Sequence, residues 1–384
     1  MTPNPLLGVF FHWLGGFASG SFYVAYRGVR SWAWETYWLA GGMFSWVIAP
    51  WILAFTITND LPGVLREAPS GSMFWAYAFG LLWGLGGLTF GLTMRYLGMS
   101  LGMAVALGYT ASFGTLIPPI FRGQFATQVW GTHSGQVILF GVAVCLAGIA
   151  CAGSAGVSKE RELSEEQKRN SIREFNLKRG LLVATFSGIM SACFAFGLAA
   201  GDPIKEITVR HGTPPLLQGL PVLVVVLAGG FTSNFIWCLI LNIRNRTAYQ
   251  YFQSEIRPTA PAREDGGENG LSRAATAVAV ATEPVVRAPM LSNYLFCALA
   301  GTTWYMQFFF YSMGETQMGR YKFSSWTLHM ASIIIFSTLW GIGLKEWSGT
   351  SRRTRILVGL SLLVLVSSTV IVGYGNKIAA VTGK

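Results

Sequence analysis

The stretch GTTWYMQFFFYSMGETQMGRYKFSSWTLHM, Gly301 to Met330, reads as the end of one apolar helix, a short turn and the start of the next. On the first helix Trp304, Gln307 and Tyr311 stand at i, i+3 and i+7, and on the second Trp326 and His329 stand at i and i+3. Each helix therefore gathers polar and aromatic groups on one side. In hydrocarbon an amide or imidazole without a partner costs several kcal/mol, so these strips are expected to face a bundle interior or a water-filled cavity rather than lipid. That cavity is the expected binding site.

The remainder of the chain has the same character. Of 384 residues, 52% are apolar and only 12% are charged, with a mean hydropathy of +0.45, outside the range of an ordinary soluble domain. The 46 glycines and 14% aromatic residues suit closely packed membrane helices with interfacial belts. A net charge of +11 raises nucleic acid as a partner, but the basic residues lie between apolar runs and form no patch, so membrane orientation accounts for them and no nucleic-acid role is expected. Cys145, Cys151, Cys193, Cys238 and Cys297 sit inside apolar runs without CxxC or histidine neighbours, which suggests neither a metal site nor a disulfide framework.

At roughly 20 residues per span, ten spans are expected: about 5–27, 34–57, 71–93, 97–121, 134–156, 179–201, 215–241, 290–313, 322–344 and 355–375. The connections after the odd-numbered spans carry 20 of the 28 Lys and Arg, which puts both termini outside and these connections in the cytoplasm. The start, MTPNPLLGVF, has no Lys or Arg before its apolar run, whereas Arg27 and Arg30 follow it. That is the pattern of a first span entering from outside, not of a cleaved signal peptide.

The organisation expected is a five-helix repeat over 1–156, a cytoplasmic connection over 157–178, and a second five-helix repeat over 179–384 with a disordered cytoplasmic loop at 244–288. Halves of five spans enter the membrane in opposite senses, the arrangement of an inverted repeat. Gly8, Gly16, Ser19 and Phe22 recur at a constant offset of 172 as Gly180, Gly188, Ser191 and Phe194, and Trp83 with the pair Arg95, Tyr96 finds echoes in Trp304 with Arg320, Tyr321.

All seventeen acidic residues lie in connections or at span ends, Glu35 being the nearest to the membrane interior. Among Asp, Glu, His, Lys and Arg only His12 and His329 lie well inside the hydrocarbon. With a 1.5 Å rise per residue, His12, Gln307 and His329 each fall roughly 6 to 8 Å outward of the midplane, on one level. Gly8 and Gly16 flank His12 by one turn, leaving a narrow face that a neighbour or substrate can approach. Its repeat counterpart is Ala184, so the scaffold itself does not demand an imidazole there. Satisfaction by a backbone carbonyl is the structural alternative for both histidines. Trp83 and Trp304 lie deeper than the interfacial tryptophans. Asn234 and Arg95 are placed along the inner pathway, with snorkelling as the alternative for Arg95, and Tyr305 is a further gate candidate.

FHWLGG around His12, WAWETYW around Glu35, GLTMRYLGMS from Gly91, FNLKRG from Phe175, TWYMQFFFY ending at Tyr311, SWTLHM ending at Met330 and LKEW from Leu344 give the chain a resemblance to the L-rhamnose–proton symporter family of the drug/metabolite transporter superfamily. The resemblance spans nearly the whole length, although the run from Arg244 to Arg287 looks longer than the family's usual connection. It implies an all-α, ten-helix fold of two inverted five-helix repeats and import of a neutral deoxyhexose with protons across a bacterial cytoplasmic membrane. A neutral sugar calls for paired donors and acceptors, which Gln307, Asn234 and the histidines can supply. It also calls for apolar plates, which Trp304, Tyr311, Trp83 and Trp326 can supply. The proton is the coupling ion and no cofactor is called for. His12 is the expected carrier, with Glu35 and His329 as further candidates. Another metabolite within the superfamily is the alternative substrate. A membrane enzyme is the remote alternative, since no clustered carboxylates, HExxH or GxSxG stand in the required contexts, and no soluble sensor domain suggests a receptor.

Overall fold

The computed structural model describes residues 3–97, 99–162, 176–256 and 286–382. Its frame is ten continuous helices of 20 residues or more: α1 (Pro5–Tyr26), α2 (Trp34–Ile57), α3 (Ser70–Leu97), α4 (Met99–Phe121), α5 (His133–Arg161), α6 (Leu177–Ala200), α7 (Leu220–Asn245), α8 (Met290–Thr316), α9 (Ser324–Gly343) and α10 (Arg352–Thr382). Eight of them are long and apolar enough to cross a membrane. The other two, α1 and α8, carry polar residues within their apolar runs, His12 and Ser19 in one and Thr302, Thr303 and Gln307 in the other.

Local chemistry sets the helix starts. The Asn4 side chain accepts from the Leu7 amide with Pro5 at the first helical position, Thr132 accepts from Gly135, and Asn176 accepts from Arg179. Within α2, Pro50 has no N–H for the carbonyl one turn back, and a π-helical turn at Met43–Ile48 precedes it. That turn carries the buried Trp46 to 5.1 Å from the ring of Trp304 on α8.

α1 packs on α8 and α9 as α6 packs on α3 and α4. α2 lies on α8 as α7 lies on α3, and α5 lies along α10. The glycines make the correspondence specific. A Cβ on Gly16 would collide with Ser332 and one on Gly188 with Tyr109 and Thr110, while Gly8 abuts Gln317 and Met318 as Gly180 abuts Tyr96 and Leu97. These contacts pair Tyr96 with Gln317 and Leu97 with Met318, a shift of 221 that Trp83 and Trp304 share. The expected match of Arg95 and Tyr96 to Arg320 and Tyr321, a shift of 225, is four residues out of step. Arg320 and Tyr321 belong to a turn beyond the end of α8.

The loop expected to be disordered at 244–288 is packed at both ends. Gln250 accepts from the Ala33 amide and the Thr36 hydroxyl, the Tyr294 hydroxyl donates to the Tyr251 carbonyl, and β1 (Glu255–Ile256) pairs antiparallel with β2 (Val286–Arg287). Residues 257–285, most of the 157–178 connection (163–175) and the side chain of Arg95 lie outside the described residues.

α5 and α10 run past their expected boundaries and meet at a polar clamp. The Glu162 carboxylate accepts from the Ser351 amide and hydroxyl and from the Thr354 hydroxyl, at 2.7, 2.6 and 2.6 Å. These bonds, Ser351 foremost, hold its pKa down to about 2 from the ordinary 4.5. A depressed carboxylate stabilises the fold above its unfolded value and loses that contribution as pH falls through the folded one. The thermal midpoint of Glu162→Gln is therefore expected to lie below the native midpoint by a constant amount above pH 5, and the gap should close as the pH is taken from 4.5 toward 2.

Candidate functional site

α1, α8 and α9 meet where the sequence placed three polar groups on one level, and the structure brings all three together. The His12 and His329 rings lie 6.5 Å apart, with Tyr311 at 5.3 Å from the first and 5.2 Å from the second. A Cβ on Gly15 would fall 2.9 Å from the Gln307 carbonyl oxygen and 3.3 Å from the His329 ring, so the glycine is what lets α1 settle against both. A Cβ on Gly314 would fall 2.8 Å from His12 Nε2. Both ring nitrogens of His12, Nδ1 of His329 and Nε2 of Gln307 are buried with no hydrogen-bond partner among the described residues. Each such orphan costs about 1–3 kcal/mol, and four in one cluster is a pattern that packing does not explain.

A cavity of about 410 Å³ opens from this cluster. Gln307, His329 and Trp326 form its inner part, Trp83, Trp304, Phe22 and Phe308 its aromatic wall, and it runs to Arg27 and Glu346, which pair at its mouth. Trp304 is the centre of that wall, stacked on Phe22 at 5.3 Å and 6.3 Å from Trp83. The Trp326 indole donates to the Thr110 carbonyl at 2.9 Å, which leaves its ring, not its N–H, for a ligand. The cavity mouth lies at the end of the bundle where Arg27, Arg161 and Arg353 gather, here called the basic end.

The opposite end is closed. Gln317 accepts from the Asn4 amide, Thr115 and Thr327 share a hydroxyl bond, and Lys205 is buried between Asp202 and Glu315 at 3.0 and 3.1 Å. His12 and Tyr311 belong to this closed side. They stand behind His329 and do not line the cavity, whereas the sequence placed them with Gln307 at the ligand.

Residues 1–253 and 272–379 match the L-rhamnose-proton symport protein family. The chain belongs to that family. Its curated relatives include the L-rhamnose-proton symporters of Mannheimia succiniciproducens, 35% identical over 98% of this chain and 100% of that protein, and of Klebsiella pneumoniae, 34% identical over 96% and 97%. That of Cronobacter sakazakii is 33% identical over 96% and 97%. Membership in this symport protein family sets the enzyme reading aside.

Within this family member several expected site residues stand apart from the cavity. Asn234 accepts from the Trp38 indole and donates to the Gly230 carbonyl, so its amide is consumed in joining α7 to α2. Glu35 accepts from Asn245 and Thr247 at the basic end, away from the histidines. Tyr305 is fully buried, its hydroxyl without a partner among the described residues, and it does not line the cavity. Phe22 and Phe308 line the cavity and were missed as site residues. Phe22 and Ser19 follow His12 on one face at i+10 and i+7, a signal that was available. The packing of Phe194 between Phe308 and Trp326, at 4.6 and 5.9 Å, needed the tertiary contacts. The buried Lys205–Glu315 pair was also missed, because residues at span ends read as exposed.

Proposed function

We propose that this protein carries L-rhamnose, or a closely related neutral deoxyhexose, into the cell together with protons by alternating access. The observation that carries the reading is the 410 Å³ cavity, which the Gln307 amide and the His329 imidazole line together with the aromatic wall of Phe22, Trp83, Trp304 and Phe308. Gln307 donates to a sugar hydroxyl and His329 exchanges a hydrogen bond with another. Trp304, Trp83 and Phe22 cover the apolar ring face and methyl group. The family membership and the names of the relatives support the same substrate and coupling ion.

In this reading all ten long helices span the inner membrane as two inverted repeats with both termini outside. The parallel contacts of α1 and α6 and the shift of 221 support the repeat, and the bias of Lys and Arg supports the orientation. The basic end is then cytoplasmic and the conformation is inward-facing. His12 takes the proton when the outer side opens. Sugar at Gln307 and His329 favours closure over it, and both are released inward as the halves rock. Two imidazolium rings 6.5 Å apart repel by roughly 2.5 kcal/mol at an effective dielectric near 20, so the pair behaves as one charge site.

Counterflow of labelled L-rhamnose in liposomes tests the substrate. Unlabelled L-rhamnose is expected to compete, while an amino acid or a nucleotide sugar leaves the flux unchanged. Competition by either of those with none by L-rhamnose would move the protein to another substrate.

A further inference from the structure

α4 serves two cavities. Met103, Leu107 and Thr110 face the transport cavity, and on its other side Leu101, Ala104, Gly108 and Tyr109 line a larger groove of about 870 Å³ enclosed with α5, α6 and α10. This groove is apolar along its length, with Val105, Leu146 and Ile149 on its walls. The wall hydroxyls of Ser112 and Ser154 donate to carbonyls of their own helices, to Gly108 and Ala150. Nothing in it resembles the amide and imidazole set that meets a sugar.

At the basic end the groove finishes in two exposed arginines, Arg161 from the end of α5 and Arg353 from the start of α10. Neither has a carboxylate at ion-pair distance among the described residues. Of the two acids that flank Arg161, Glu160 and Glu162, the second is turned to Ser351 and Thr354, and that clamp holds the two arginine-bearing ends side by side. Along α5 the groove runs from Leu146 to Arg161, 15 residues or about 22 Å. Half of a bilayer with its headgroups is also about 20–22 Å.

We propose that this groove is a binding site for one anionic phospholipid of the leaflet at the basic end, its acyl chain lying along α4 and α5 and its phosphate held by Arg161 and Arg353. Apolar walls of leaflet length and a paired guanidinium mouth match the two halves of such a molecule. The occupant presses on the same helix that presents Leu107 and Thr110 to the transported solute.

The test incubates the detergent-purified protein with mixed micelles of equimolar phosphatidylglycerol and phosphatidylcholine, re-isolates it and measures retained lipid by mass spectrometry. At about 1 kcal/mol for each arginine, phosphatidylglycerol is expected to be retained about 30-fold over phosphatidylcholine. Arg161→Ala with Arg353→Ala should bring that ratio close to one, and Arg161→Lys with Arg353→Lys should keep most of it. A Cβ on Gly108 would meet only Ile149, at 4.0 Å, so Gly108→Leu fills the groove without displacing backbone. It should lower retention of both lipids at an unchanged unfolding midpoint. A wild-type ratio near one, a ratio that survives the double alanine substitution, or undiminished lipid on Gly108→Leu would each overturn the proposal.

Discussion

Gln307→Leu is expected to raise the half-saturating sugar concentration in counterflow by about two powers of ten while leaving the unfolding midpoint unchanged or slightly raised. Gln307 Nε2 has no partner among the described residues, so its removal takes no bond seen there from the fold and relieves a buried orphan. What it removes is a donor to the solute. The lost bond and the sugar hydroxyl then left unpaired in a closed site together cost about 3 kcal/mol. A structural amide would give the opposite pattern, with the midpoint falling and affinity little changed. Trp304→Leu should weaken sugar binding less, by about tenfold, since Phe22, Trp83 and Phe308 keep much of the wall in place.

His12→Gln is expected to abolish uphill accumulation driven by a pH gradient and to leave sugar exchange running. The substitution keeps size and polarity but removes the proton-binding nitrogen. His12 stands behind His329 rather than in the cavity, so the sugar's own contacts survive. His329→Gln should impair both coupling and affinity because that ring does line the cavity. Glu35→Gln should leave coupling intact, its carboxylate being engaged with Asn245 and Thr247. Full accumulation by His12→Gln together with exchange-only behaviour of Glu35→Gln would transfer the proton to Glu35.

The positions of the long helices were legible because hydrocarbon thickness fixes their length and few charged residues lie inside them. The ends of α5 and α10 were not. Charged residues read there as loop, while the Glu162 clamp lets both helices continue. The level shared by His12, Gln307 and His329 followed from rise per residue alone. That the three groups meet was therefore legible, but the direction in which each polar group finds a partner was not. Asn234 looked as available as Gln307 in the sequence, yet Trp38 and Gly230 occupy it. The match of Arg95 and Tyr96 to Arg320 and Tyr321 rests on identical letters at a shift of 225, whereas the contacts at Gly8 and Gly180 run at a shift of 221.

The most direct test of the central claim is uptake of labelled L-rhamnose by proteoliposomes holding the purified protein, with and without an imposed pH gradient, alkaline inside. A driving force equivalent to about 100 mV supplies roughly 2.3 kcal/mol per proton, which sustains a sugar gradient of up to about 50-fold for each proton carried. Accumulation should rise with the imposed gradient and collapse to equality when a protonophore is added. Labelled sugar that reaches the same final level with and without the gradient would contradict the account.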